Sequence, residues 1–486
     1  MPLLKQKSMS INAFLNGIRS ILNLLFPLIT FPYVSRVLQV RGIGIYNFSQ
    51  SINSYFLLIA ELGVTAYAVR EGAKYRDDPE KMSKFGSEVF TINIISTLIA
   101  YVLLVFTLIF FSNLHAYITC ILVFSLQMFF VTMGTEWLYT IYEQYTFITI
   151  RSIIFNAISI VLLFVFVKNR NDYLNYAAIT VFATAGSNII NYFAAKKICR
   201  IHLTRHINWK RHIGPIMIIF ASNVANLIYV NSDVTLLGLM KNNYTVGIYS
   251  VSAKVYTMVK SLISSVLIVT VPRLSMLFGK KKFQSYRIVL SKVTNTLVLV
   301  TLPAMVGLFM MSRNVVLILS GAQYLQAQSS LQILSCAYLF SILAWIITYC
   351  VLLPAKKEKY MLISMSISAI LNIILNLLLI PLWSENAAAL ATVIAEFSLL
   401  VVNFYYAKDI VGKIFISKEV GKNLLDAIIG SFGIWETCFI IRHFFPHLIV
   451  NTLFSVILSV IIYGVILLVL GNEVAWSYIN RYLKKN

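Results

Sequence analysis

The feature that most constrains this chain is the recurrence, from residue 11 to residue 470, of apolar runs long enough to cross a lipid bilayer. A crossing helix needs about twenty apolar residues and satisfies its backbone hydrogen bonds internally. We mark fourteen such runs: 11–37, 45–69, 87–111, 115–135, 148–167, 173–195, 213–238, 247–271, 290–312, 328–353, 360–380, 386–406, 423–441 and 448–470. Charged residues make up only 12% of the chain, about half the share in a soluble domain. Length alone would suggest two or three soluble domains, and hydropathy overrides that prior. The fold class expected is an all-α polytopic membrane protein.

The loops give the orientation. With an even count, both termini share one side, and the loops of that side carry 29 of the lysines and arginines. The opposite loops carry six: Arg41, Lys168, Arg170, Lys241, Arg313 and Arg442. That bias places both termini in the cytoplasm. The net charge of +22 is therefore topology rather than a nucleic-acid footprint, because the basic residues sit in short loops instead of on one soluble face. The same basic surface suits anionic membrane lipids. The opening MPLLKQKSMS is weakly basic, but the run behind it is long, holds Arg19 and lacks a small-residue cleavage site, so it is expected to stay as the first span.

A short repeat divides the chain. Gly44-Ile45-Tyr46 and Ser49 open the second span, and Gly247-Ile248-Tyr249 and Ser252 open the eighth, 203 residues later. Six spans separate them, so the two blocks point the same way across the membrane. The domain division expected is an N-terminal lobe over 1–200, a second lobe over 201–410 in parallel pseudo-two-fold relation to it, and two further spans over 411–486. Facing lobes of this kind make a central cavity and can rock between inward-open and outward-open states.

Polar stripes run along several spans. Asn12, Asn16, Arg19 and Asn23 share one helix face, as do Asn47, Gln50, Ser54 and Glu61 on the second span. Tyr249, Ser252, Tyr256 and Lys260 share a face of the eighth, with Lys254 on another. Ser368, Asn372 and Asn376 line the eleventh; Thr392, Glu396 and Asn403 line the twelfth; Asp233 lies in the seventh. An Arg or Asp at the bilayer centre costs roughly 2.5–3.5 kcal/mol on insertion scales, so these residues must face one another or water. Two accounts compete. Asn and Ser stripes hold helices together, and Glu61, Glu136 and Lys260, near span ends, snorkel or cap. Alternatively, a cavity with Arg19, Lys254 and Lys260 binds an anionic cargo, with Asn16, Asn23, Gln50 and Asn372 as its polar lining. Asp233, Glu396 and Glu61 are then the candidates to carry a coupling proton or sodium ion.

Other chemistries lack their residues. There is no GxxxxGK[ST], HExxH or GxSxG, and the five cysteines stand alone. His202 and His206 lie among cations and read as solvated loop residues. Glu136 and Glu143 are too isolated for acid–base work, and Asp77, Asp78 and Glu80 have basic neighbours in the same loop. Neither a catalytic site nor a cofactor nor a metal is expected.

The stretch FPYVSRVLQVRGIGIYNFSQSINSYFLLIAELGVTAYAVRE, from Phe31 to Glu71, resembles the opening of bacterial polysaccharide-unit flippases. That family belongs to a superfamily that also holds multidrug antiporters and lipid II flippases. NSDVTLLGLMKNNYTVGIYSVSAKV, from Asn231 to Val255, is similar to a second family element, with Asp233, Leu237-Gly238 and Val246-Gly247-Ile248-Tyr249 in its pattern. The resemblance implies a polyprenyl-pyrophosphate-linked oligosaccharide as cargo, turned from the cytoplasmic to the outer leaflet of a bacterial cytoplasmic membrane. It implies a separate polysaccharide polymerase as partner, and a capsule, exopolysaccharide or O-antigen as product. Arg19 is similar in place and character to the first-helix cations of the related lipid II flippases; Lys254 and Lys260 match less closely. Two rivals remain: a cation-coupled multidrug exporter of the same architecture, and a membrane-embedded polymerase or glycosyltransferase.

Overall fold

A computed structural model describes the backbone over residues 9–415 and 417–477, and side chains from residue 28 onward except at 196, 197, 266, 268, 269 and 413–415. The described residues are almost all helical, joined by short loops and by the longer segment between α8 and α9. In order, the helices are α1 (Met9–Glu61), α2 (Val64–Gly72), α3 (Pro79–Phe110), α4 (Ile118–Gly134), α5 (Glu136–Ile141), α6 (Tyr145–Phe166), α7 (Tyr173–Val181), α8 (Asn188–Ile198), α9 (Trp209–Met240), α10 (Asn243–Gly279), α11 (Phe283–Leu319), α12 (Ala327–Trp345), α13 (Glu358–Phe415), α14 (Lys418–Phe444) and α15 (Leu448–Val469).

Among the described residues, ten helices are long and apolar enough to span a membrane, and eleven with the pair Asn243–Ser265 and Thr270–Gly279, which is bent by 49°. The sequence predicts fourteen spans, and the difference has identifiable local causes. Helices α1 and α13 each run more than twice the length of one crossing. Each breaks at one residue of positive φ, Gln39 (φ 57°) in α1 and Ser384 (φ 50°) in α13, a conformation that L side chains rarely adopt. The sixth predicted run is cut by a π turn at Phe182–Gly186, which leaves α7 and α8 each too short to count alone.

Two compact units divide the chain, Met1–Gly247 and Ile248–Asn486. Helix α9, predicted to open the second lobe, packs within the first. Its C-terminal half is held there by Thr235, whose hydroxyl meets Ser51 at 2.6 Å and Tyr55 at 3.1 Å. Gly238 of α9 leaves no room for a side chain beside the ring of Phe48.

The repeat is visible in the packing. In the first unit, Tyr46 reaches Thr180 on α7 (3.0 Å) and sets its ring edge-on to Phe124 of α4. In the second, Tyr249 reaches Thr392 on α13 (3.5 Å), and Ser252 bonds Ser330 of α12 (2.7 Å). The repeat glycines also mirror each other. A Cβ on Gly44 would lie 1.8 Å from the carbonyl oxygen of Asn243; one on Gly247 would lie 2.0 Å from that of Val40. Residues 40 and 44 are the 203-residue equivalents of 243 and 247, so the contact is reciprocal.

The apolar surface is that of a protein solvated by lipid. Val460, Val465 and Val469 on α15, and Val102, Ile109 and Phe110 on α3, are all exposed. Polar residues instead fill positions facing other helices, where hydrogen bonding glues helices without a hydrophobic driving force.

Candidate functional site

The second unit holds a buried ion pair. Tyr256 and Lys260 lie one turn apart on α10 and so share a face. Glu396 on α13 lies opposite, 1% exposed. Its Oε1 accepts from Lys260 Nζ at 2.5 Å and from the Tyr256 hydroxyl at 3.1 Å. The ammonium also lies 5.4 Å from the ring centre of Trp345 on α12 and 5.5 Å from that of Tyr256, a partial aromatic cage. Tyr338 of α12 stacks on Tyr256 and donates to its carbonyl at 3.0 Å, which fixes the ring that orients the carboxylate. Among the described residues, Glu396 Oε2 has no hydrogen-bond partner. The whole predicted stripe Tyr249–Ser252–Tyr256–Lys260 is thus turned toward α12 and α13, with Lys260 as its charged end.

Lys254 lies on a different face of α10. It is half-buried and makes no hydrogen bond or ion pair among the described residues.

The asparagine stripe of α13 lies inside the second unit. Asn372 and Asn376 are buried, and Asn376 Nδ2 donates to Asn372 Oδ1 at 3.0 Å. Asn403 Nδ2 donates to Thr348 Oγ1 at 2.8 Å, on a π turn (Ile346–Leu352) that continues α12.

In the first unit, the predicted face of α1 is half-buried along its length at Asn47, Gln50, Ser54 and Glu61. Asn47 and Ser54 bond carbonyls of their own helix, whereas Gln50 Oε1 and Nε2 make no such bond among the described residues. Glu61 lines a cleft of about 490 Å³ with Arg70, Thr140 and Asn223. Asp233 is buried on α9. The backbone at Asn12, Asn16, Arg19 and Asn23 is helical as predicted, and their side chains lie outside the described residues.

Sequence reasoning missed two clusters. Arg151 on α6 is buried and pairs with Glu136 at 3.4 Å. Its signal was the one that singled out Arg19: a lone arginine inside an apolar run, in TFITIRSIIF. The second cluster joins Glu88 on α3, His212 on α9 and Tyr67 on α2. Glu88 Oε2 lies 2.7 Å from His212 Nε2, and His212 Nδ1 lies 2.7 Å from the Tyr67 hydroxyl. No local periodicity links residues so far apart in sequence. The charged loop before α3 shows the ion pairing expected of it: Asp78 caps α3 and pairs with Lys81, and Arg76 pairs with Glu143.

Comparison with known proteins adds the following. Residues 11–278 match the family described as "Polysaccharide biosynthesis protein". The "Putative O-antigen transporter" of Escherichia coli (strain K12) is 26% identical over 267 residues, which cover 52% of this chain and 61% of that relative's length. Among solved structures, the lipid II flippase MurJ in an inward closed conformation superposes with a TM-score of 0.73 at 17% identity, over 94% of this chain and 98% of that one. An inward-facing multidrug resistance MATE family transporter of the MOP superfamily gives 0.62 at 13% identity, over 84% of this chain and 99% of that one. At these identities the two structures establish a shared all-α polytopic membrane fold.

Proposed function

The chain belongs to the polysaccharide biosynthesis protein family, and on that premise we propose that it is a flippase. Its cargo is a polyprenyl-pyrophosphate-linked oligosaccharide, carried from the cytoplasmic to the outer leaflet of a bacterial cytoplasmic membrane by alternating access. A separate polysaccharide polymerase then receives the unit. The observation that carries the reading is the family match over 11–278, which includes Arg19, the α1 stripe and both copies of the Gly-Ile-Tyr element. The likeness in fold to a lipid II flippase supports it.

Several structural features support the finer architecture. If the kinks at Gln39 and Ser384 each separate two crossings, and 173–198 is one crossing with a π turn, the eleven helices become fourteen spans. An even count keeps both termini in the cytoplasm. The reciprocal glycine contacts and the matched Tyr–Thr anchors support two lobes in parallel pseudo-two-fold relation, with α14 and α15 as the added pair.

In this reading Arg19 and Lys254 bind the pyrophosphate, Arg19 in bidentate fashion. Asn16, Asn23 and Gln50 offer hydrogen bonds to phosphate and sugar, with Asn372 holding the α13 side in place. Lys260 is neutralised by Glu396 at rest and exchanges that partner for phosphate. Asp233, Glu396 and Glu61 carry the coupling proton or sodium ion, and the open Glu396 Oε2 supports its place in that set. The cationic residues favour an anionic lipid over a cationic drug.

The test is transfer of a fluorescent polyprenyl-pyrophosphate sugar across proteoliposomes under imposed proton or sodium gradients. Arg19→Ala is expected to abolish transfer while the protein still inserts. Wild-type transfer by that variant removes the phosphate role. Export of a cationic drug without lipid transfer favours the multidrug reading.

A further inference from the structure

The segment that joins α8 to α9 is strapped along α3 in register. Ser83, Ser87 and Thr91 recur every four residues on α3, an advance of about 6.0 Å per step. Residues 200, 202 and 204 recur every two along an extended chain, an advance of about 6.6 Å. The two pitches match, and each pair is bonded. The Ser83 hydroxyl donates to the Arg200 carbonyl. His202 N donates to Ser87 Oγ at 3.2 Å, and Thr204 N donates to Thr91 Oγ1 at 3.1 Å. The chain then turns back, and Asn208 N donates to Glu88 Oε2 at 3.4 Å.

Glu88 is also the carboxylate that meets His212. The triad is buried, with Glu88, His212 and Tyr67 4%, 0% and 1% exposed beside the core of Phe85, Val89, Trp137, Leu138 and Ile216, and Glu88 also borders an open cleft. It ties α2, α3 and the first turn of α9 at one imidazole. Few residues in the middle of α9, by contrast, are fully buried, most being half-buried or exposed, so its N-terminal end depends on this fastening.

We propose that Glu88, His212 and Tyr67 form a proton-binding latch that fastens the strap and the first turn of α9 to α3, closed when the imidazole and carboxylate share an added proton and loosened when that proton leaves. With neutral imidazole, Nε2–H donates to Glu88 and the Tyr67 hydroxyl donates to Nδ1. With imidazolium, both ring nitrogens donate, and the Tyr67 oxygen becomes the acceptor. The proton is therefore taken up without loss of either bond. Its departure leaves one net negative charge on a carboxylate that is 4% exposed at the edge of a cleft, and a buried charge without a paired counterion favours opening to water.

Among the described residues, no group other than His212 forms an ion pair with Glu88. On α2, Glu71 is occupied by Lys74 and Arg70, and Tyr75 follows in the next turn. From α9, Arg211 stacks over Tyr75 and Phe85 and donates to the Tyr75 hydroxyl. From the strap, His202 meets Ser87 and Cys199 packs against the core; from α5, Trp137 and Tyr139 do so. Lys84 and Glu80 on α3 line, together with Glu88, a neighbouring solvent-open cleft, and neither bonds the Glu88 carboxylate among the described residues.

The experiment is hydrogen exchange of the full-length protein in zwitterionic nanodiscs at about pH 6 and about pH 8, each rate divided by its intrinsic rate. In wild type, amides of 202–212 are expected to exchange about fivefold or more faster at the higher pH. Glu88→Gln, neutral at both, should abolish that step, whereas Ser87→Ala should loosen the strap yet keep it. A flat wild-type profile, or an unchanged step in Glu88→Gln, overturns the latch. If Glu88→Gln does not fold, the wild-type 15N signals of His212 decide: both nitrogens protonated at the lower pH supports the latch, and no titration between the two overturns it. The latch's part in transport rests on the flippase reading, but exchange reads the latch directly. A pH step without lipid transfer counts against that reading, and transfer with a flat profile counts against the latch.

Discussion

Each unit buries a carboxylate against a nitrogen base and a tyrosine, and the two arrangements differ in what they can do. In the second, Glu396 receives both Lys260 and Tyr256 on one oxygen. The lysine ammonium is a compact point charge, so this is a pair that a competing anion or cation can split. In the first, Glu88 meets an imidazole, and the tyrosine bonds the base rather than the acid. Imidazole is the side chain that changes charge near neutrality. The repeat sharpens the contrast. Tyr46 and Ser49 correspond to Tyr249 and Ser252, but the 203-residue equivalent of Lys260 is Leu57. The two copies share their anchors and diverged in their charges.

The largest expected effect comes from breaking the fixed pair. Lys260→Met strands Glu396 in a dry interior, and loss of one partner of a buried pair costs about 3–5 kcal/mol. Lys260→Met with Glu396→Leu should recover most of that loss, since two apolar residues replace two charges. Thermal unfolding in detergent measures both. Equal destabilisation by the single and double variants would show that Glu396 does not depend on Lys260. Transfer in the recovered double variant should still be lost, which separates stability from function.

The repeat itself can be broken symmetrically. Gly44→Ala and Gly247→Ala each drive a methyl group into a backbone carbonyl, which cannot move aside as a side chain can. Overpacking of this kind typically costs about 1–3 kcal/mol. The reciprocity predicts equal losses, and the double variant should lose less than their sum because one helix separation relieves both. Strict additivity would mean that the two contacts are independent.

These differences track what the sequence could disclose. The α10 stripe was legible because its residues lie close in sequence on one helix face, and its neighbours prove to be α12 and α13. The Lys260–Glu396 pairing was not legible, since both residues were assigned separate roles and nothing local joins residues on different helices. Glu88 and His212 fell at the starts of spans, where a charge passes for a loop residue. The count of fourteen rests on hydropathy, which marks the apolar runs but not the sharp kinks at Gln39 and Ser384 that end one helix and begin the next with no loop between them. The packing of α9 with the first unit was equally hidden, because its anchors Thr235 and His212 meet Ser51, Tyr55, Glu88 and Tyr67 across long stretches of chain.

The smallest effect supplies a control for the comparison. Asp172 lies in the loop after α6, outside the spans, and its Oδ2 accepts from the backbone of Lys168 (2.9 Å) and Asn169 (2.8 Å). Those two bonds hold its pKa below the ordinary carboxylate value. A depressed pKa contributes stability that is complete above the unfolded-state value and is lost as pH falls through the folded one. The loop's exchange should therefore stay constant from about pH 8 down to about pH 5, and loosen only in acid below the usual aspartate range near 4. Asp172→Ala should speed exchange at Lys168 and Asn169 by an amount worth less than about 1 kcal/mol, with no change in strap exchange at residues 202–212. An Asp172 loop that loosened between pH 6 and pH 8 along with the strap would point to a pH response of the whole unit, and the distinction between the proposed Glu88–His212 latch and a silent surface carboxylate would fail.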